Sequence, residues 1–171
     1  MKNHFKLPDL KKLLLFTDGS VHVQSGVGYG AFLLISDESW MESADELREK
    51  VLVQRFEATS STKLELQTLL WALGTVHQET NELIVFSDSQ NISGLLERRR
   101  RLEQNKFHSK TGRRLTNADL YMQFFSQIDK LKITFVKVKG HRPSKMKNKT
   151  DRLFTLVDRA SRQALRNEIK E

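Results

Sequence analysis

The chain has no cysteine, which excludes a disulfide-stapled scaffold and any thiolate metal centre. Its five histidines, His4, His22, His77, His108 and His141, lack the spacing of zinc ligands. A metal bound here should therefore be held through oxygen. Long apolar runs are missing too: nowhere do about 18 apolar residues follow one another, so no membrane-spanning helix is expected. The stretch from Met1 to Lys12 carries lysines but no apolar segment of the kind that leads a secreted chain. No repeat or low-complexity linker interrupts the sequence, and 171 residues suit one domain able to bury about 70% of its unfolded surface. The expectation is a cytoplasmic monomer with one domain over residues 1–171. Its core should span about 12–168 behind a short N-terminal extension, 1–11, with no membrane contact and no small-molecule cofactor.

What is abundant is positive charge, and it is unevenly placed. The net charge is +8. Residues 97–114 hold eight basic and two acidic side chains, and residues 137–149 hold six basic ones and no acid, so each segment nets +6 and the remainder nets −4. Any single charge run is most often a solvated face. A weakly acidic body with two basic segments is nevertheless the layout of a polyanion binder.

Apolar patterning orders the elements. Residues 13–18, 28–36 and 51–59 read as three strands, the first two joined through a turn region with Asp18-Gly19-Ser20 at one end and Gly26, Gly28 and Gly30 at the other. Between the second and third strands lies an acidic insertion, 37–50, with a short helix over 43–47 and no assigned function. Leu64, Leu66, Leu69, Leu70, Leu73 and Val76 recur at helical spacing. A fourth strand ends at Asp88, a helix from Ser89 runs into the basic cluster, and a helix over 117–131 precedes a fifth strand, 133–138. A last helix carries Leu153, Leu156, Val157, Ala160 and Ala164 on one face. The first three strands suggest an antiparallel meander, and a strand, a helix and a strand imply a parallel crossover. The fold class is α/β: a five-stranded mixed sheet flanked by helices.

Four acids stand where these elements begin or end. Apolar runs deliver Asp18 and Asp88, and helices starting near Ser60 and Thr150 bring Glu65 and Asp151. Each has an ordinary structural explanation. Asp18-Gly19 is turn chemistry, Asp88 can cap the following helix, and Asp151 can complement a helix dipole. Thr62-Lys63-Leu64-Glu65 fits a capping box. What these explanations leave out is the coincidence of all four at one sheet edge, where each close pair would cost roughly 4 kcal/mol at an effective dielectric of 20. Two Mg²⁺ ions would relieve that repulsion and provide a means of cutting phosphodiesters. Asp158 competes with Asp151, being two turns further along the same helix face.

Thr17-Asp18-Gly19-Ser20, Lys63-Leu64-Glu65-Leu66, Ser87-Asp88-Ser89-Gln90 and Lys139-Gly140-His141, with Asp151 ten residues later, together resemble the ordered motifs of type 1 ribonuclease H over roughly residues 12–165. The resemblance implies a ribonuclease H-like fold and hydrolysis of the RNA strand of an RNA/DNA hybrid. Asp18, Glu65, Asp88 and Asp151 would hold two Mg²⁺ ions, with Mn²⁺ an alternative. His141 would assist proton transfer or product release, its cationic neighbours favouring the neutral ring. It also implies nucleic-acid contacts: Ser60 to a phosphate of the DNA strand, Gln90 in the minor groove, and Arg98, Arg99, Arg100 and Arg101 in place of a variable basic protrusion. Ser61 and Thr62 stand where many relatives have asparagines, offering hydroxyls to a 2′-OH with less reach than amides. Two other readings are a transposase, integrase or resolvase on a similar sheet, and a hybrid-binding module without turnover. Glu65 on the first long helix speaks against the former.

Overall fold

Side chains along a strand alternate between two faces, and the first strand, β1 (Lys12–His22), uses that alternation to found two cores. In the computed structural model, which describes residues 12–76, 82–139 and 148–170, Leu15 points into one core while Leu14 and Phe16 point into the other. β2 (Val27–Ser36) pairs antiparallel with β1, and β3 (Leu52–Phe56) antiparallel with β2. β4 (Glu82–Ser87) and β5 (Ile133–Lys137) add on the other side in parallel, giving the order β3-β2-β1-β4-β5. This is the mixed sheet that the sequence predicts.

Helices cover both faces. α2 (Ser61–Leu73), α3 (Gln90–Gln104) and α4 (Ala118–Lys130) supply Leu66, Leu69, Ile92, Leu95, Phe124 and Phe125 to the core around Leu15. α5 (Lys149–Lys170) and the short α1 (Ala44–Glu49) close the other core through Leu153, Phe154, Leu156, Val157 and Leu47. α1 belongs to the acidic insertion, where Ser43 and Glu46 form a capping box and Leu47 is completely buried. Trp40, in the preceding 3-10 turn (Glu38–Met41), packs against the α5 core with the Lys149 ammonium 5.1 Å from its ring.

α2 lies unusually close to the sheet because three glycines face it. A Cβ on Gly30 would overlap Thr68 Oγ1, and one on Gly28 or Gly19 would stand 2.7 or 2.9 Å from Leu64. Only hydrogen fits at such distances, so these positions set the helix depth. On the opposite face Ser20 Oγ lies 3.0 Å from Ser161 Oγ, and Arg55 makes a forked pair with Glu168, which also accepts from Tyr29. These contacts fix α5 along β1 to β3.

Two strand boundaries differ from the sequence expectation. β1 does not stop at Asp18 but runs on to His22, because Gly19 to His22 pair with Gly30 to Val27 before a turn closed at Gly26, whose φ is 68°. β3 ends at Phe56 rather than at residue 59. Ala58 adopts a φ of 47°, and Thr59 N–H donates to Gly26 O at 2.9 Å, drawing the chain off the sheet toward α2.

Candidate active site

The parallel pairing of β1 with β4 stops at Phe16 and Phe86, whereas the antiparallel pairing of β1 with β2 continues past Asp18. Asp18 and Asp88 therefore emerge two residues beyond a matched pair, at the carboxyl edge of the parallel strands, where α/β sheets characteristically carry ligand sites. The rings of Phe16 and Phe86 stack at 4.6 Å and 8° on the α5 face. Such a pair adds about 0.5–1.5 kcal/mol beyond area burial. It also fixes the register that sets the two aspartates side by side.

Glu65 arrives from α2, and it is not part of a capping box. The N-cap is Ser60, whose hydroxyl accepts from Lys63 N–H, so Glu65 lies beyond the capping turn. Its carboxylate instead accepts a 2.6 Å hydrogen bond from Ser89 Oγ. The same Ser89 oxygen accepts from Ile92 N–H at 3.2 Å as the N-cap of α3. One hydroxyl thus ties the start of α3 to the acid of α2. Asp88 adjoins this link in sequence and acts on Glu65 electrostatically.

On α5 the structure separates the two aspartates that compete in the sequence. Asp151 is buried and holds a reciprocal cap with Asn148. Its N–H donates to Asn148 Oδ1 at 2.8 Å, and its Oδ2 accepts from Asn148 N–H at 3.2 Å. The side chain that shares a hydrogen bond with Asp18 is Asp158, two turns later. The Ser20 to Ser161 contact explains this: it sets α5 beside the strand residues just after Asp18, so the turn containing residue 158 comes opposite that carboxylate. Asp158 is also paired with Arg162 at 2.7 Å.

The acids form a chain, Glu65 to Asp88 to Asp18 to Asp158, drawn from α2, the link between β4 and α3, β1 and α5. Burial, then the charge of Asp88, then Asp158 push the Asp18 carboxyl from 3.8 up to about 8, against a hydrogen bond from the Gly19 backbone that lowers it. Glu65 is also raised, first by burial and then by Asp88, while Ser89 acts in the opposite direction. At neutral pH the centre of the chain thus holds a proton that ordinary carboxyls lose. Among the described residues no three acidic or histidine side chains already stand at metal-holding distances. The side chains that the arrangement brings together offer carboxylate oxygens alone, the donor type that hard cations take.

The RNase H family model matches residues 10–164. The chain belongs to the RNase H family. It is 30% identical over 132 residues to "Ribonuclease H" of Actinobacillus succinogenes, covering 77% of this chain and 79% of the relative. It is 26% identical over 148 residues to "Ribonuclease H" of Chlorobium phaeobacteroides, covering 85% and 94%. It is 29% identical over 133 residues to "Ribonuclease HI" of Haemophilus influenzae, covering 77% and 79%.

Around these acids the remaining sequence candidates fall into three groups. Ser60, Ser61, Thr62 and Gln90 are exposed at the N-termini of α2 and α3, the two helices that flank Glu65 and Asp88. The four arginines of α3 are not equivalent. Arg98 donates to Gly94 O and to Asn91 Oδ1, and Arg99 is held by Asp129 and Glu103 over the Phe125 ring, whereas Arg100 and Arg101 are exposed. His141 lies outside the described residues. Among those residues no helix is long and apolar enough to cross a membrane.

Proposed function

We propose that the protein is an endoribonuclease that hydrolyses the RNA strand of an RNA/DNA hybrid, leaving 5′-phosphate and 3′-hydroxyl ends, with two divalent cations held by Asp18, Glu65, Asp88 and Asp158. The observation that carries this reading is the chain of interacting carboxylates, from β1, α2, α5 and the link between β4 and α3, at the carboxyl edge of β1 and β4. Asp158 replaces Asp151 as the fourth acid because Asp151 is engaged in capping its own helix. The donor set suits Mg²⁺, or Mn²⁺ as the alternative, since every donor is a carboxylate oxygen. A half-buried carboxyl raised to about 8 has a proton that a dication can displace.

When bound, the cations supply a water acidified enough to attack near neutral pH and a positive centre for the leaving 3′-oxygen. The protein's own part is placement. Asp18 sits between two other acids on a strand fixed by pairing on one side and by the phenylalanine stack below. Ser89 aims Glu65, and Arg162 holds Asp158 at its outer end. Hydroxyls of Ser61 and Thr62 and the amide of Gln90 are exposed where a minor groove carrying 2′-hydroxyls would pass, and Ser60 would meet the opposite backbone. Glu65's membership in the chain of acids supports this reading over a transposase or integrase. The deciding experiment incubates labelled RNA/DNA hybrid, double-stranded RNA, double-stranded DNA and single strands with Mg²⁺. Cleavage of the RNA in the hybrid alone is expected, and cleavage of DNA, or of nothing, would refute the proposal.

A further inference from the structure

The far side of the fourth acid opens into a groove of about 600 Å³ between α5 and α1. Its floor includes Leu156 and Ala160, and Arg159, Arg162, Arg166 and, from α1, Arg48 line it together with Asp158. Those five ionisable side chains net +3. Arg48 pairs with Asp45 at 2.9 Å and Arg162 with Asp158, but Arg159 and Arg166 pair with no carboxylate among the described residues. All three of Arg48, Arg159 and Arg166 are exposed.

The position of this groove matters more than its charge. Asp158 belongs to both places: it shares a hydrogen bond with Asp18 and it lines the groove. A backbone leaving the carboxylates on this side therefore enters the groove at once. Arg159 and Arg166 are seven residues apart, so they share a helix face and lie about 10.5 Å apart along the axis. That spacing lets the two guanidiniums meet different phosphates of one strand. The opposite wall is the insertion to which the sequence assigns no role, and completely buried Leu47 anchors it against α5, which holds Arg48 across the groove from Arg159 and Arg166. A solvated arginine face would need no such facing wall.

We infer that this groove binds the sugar-phosphate backbone of one nucleic-acid strand continuing beyond the cleaved hybrid, so that the protein grips a single-stranded extension through Arg48, Arg159 and Arg166. The inference deepens the ribonuclease H reading and rests on it for the identity of the duplex. One helix face opposed by one arginine admits a single backbone, which distinguishes this grip from contacts to the hybrid itself.

The test compares binding of a blunt RNA/DNA hybrid with hybrids of equal duplex length bearing a 5′ or 3′ RNA overhang, measured by fluorescence anisotropy in EDTA over a series of salt concentrations. The unaltered protein is expected to bind at least one overhung hybrid more tightly. Its log affinity should fall with log salt more steeply than for the blunt hybrid, by about 0.7 for each further phosphate neutralised and up to roughly 2 for three. The triple substitution Arg48→Gln, Arg159→Gln and Arg166→Gln, confirmed folded by its thermal melt, should erase that difference and leave blunt-hybrid affinity unchanged. An equal loss on blunt and overhung hybrids, or no overhang effect in the unaltered protein, overturns the inference. A separate cleavage assay on the blunt hybrid with Mg²⁺ reports on the ribonuclease H reading alone, because failure there leaves the binding comparison intact.

Discussion

The raised Asp18 carboxyl makes metal-free stability fall with pH in a way that one substitution isolates. In the unfolded chain the group loses its proton near 3.8, and in the folded protein near 8. Between those values the folded state binds the extra proton, so stability is fully present below about pH 4 and is lost as pH rises toward 8, at up to about 1.36 kcal/mol per pH unit. The ceiling over that interval is about 5–6 kcal/mol. Asp18 keeps partial contact with solvent, so a loss of roughly 2–3 kcal/mol is the working expectation. Asp18→Asn cannot ionise and should match the wild type near pH 4 in EDTA, then exceed it progressively up to pH 8.5. At that pH the gain corresponds to a melting temperature higher by roughly 4–12 °C for a chain of this size. Urea unfolding of both proteins followed by circular dichroism from pH 4 to 9 provides the difference curve, which removes every other titrating group common to the two. A flat difference curve would refute the claim that Asp18 is held protonated by burial and its acidic neighbours. Saturating Mg²⁺ should reverse the order at pH 8, since the wild type alone retains the central ligand.

The two aspartates of α5 should part company: Asp158→Asn should abolish hybrid cleavage with little change in melting temperature. Asp151→Asn should keep most activity and lose about 1 kcal/mol of stability from its cap, and the opposite pattern in paired turnover and unfolding assays would return the metal role to Asp151. Gly30→Ala should destabilise the fold by about 1–3 kcal/mol, because its Cβ would meet Thr68; adding Thr68→Ala should recover part of the loss in urea melts, and full stability of the single variant would disprove the close approach. Arg100→Gln with Arg101→Gln should flatten the salt dependence of hybrid binding by up to about 1.8, at up to about 0.9 for each phosphate no longer neutralised. Arg99→Gln should chiefly lower stability, since Asp129 and Glu103 already hold that side chain; an equal salt effect from Arg99→Gln would show that its ion pairs open to the substrate.

Strand identities were legible in the sequence because buried parallel strands read as unbroken apolar runs, as in Leu83 to Phe86. Their ends were less so, since ends are settled by pairing. Gly19 and Ser20 carry turn chemistry, yet the hairpin partner Gly28 to Gly30 keeps them in β1. The arginines of α3 show the same limit at the level of charge. Glu103 lies four residues from Arg99 and is visible as a helical partner, but Asp129 is thirty residues away and meets Arg99 only once α4 packs beside α3. A run of like residues therefore revealed the sum of charge and concealed which charges were free.

The site was legible as a set of acids, and the choice between Asp151 and Asp158 turns on the helix caps. The four-residue spacing that forms a capping box occurs at Thr62 to Glu65 and again at Asn148 to Asp151. The first looks better, with threonine and glutamate in the favoured order, yet α2 starts two residues earlier with Ser60 as its cap, so Glu65 is released to Ser89 and the carboxylate chain. The second is the pattern that the structure uses, and it occupies Asp151 at the helix start. An acid in a capping box has its oxygen directed back along its own helix, whereas a ligand must point across to another element. Once Asn148 is recognised as the cap of α5, Asp151 is accounted for locally. The next acid on that face is Asp158, about 10.5 Å further along, where Ser161 meets Ser20 and the helix runs beside Asp18. Fixing helix boundaries before assigning acids settles both caps together: Glu65 lies outside the cap of α2 and Asp151 lies within the cap of α5, a single consequence of where two helices begin.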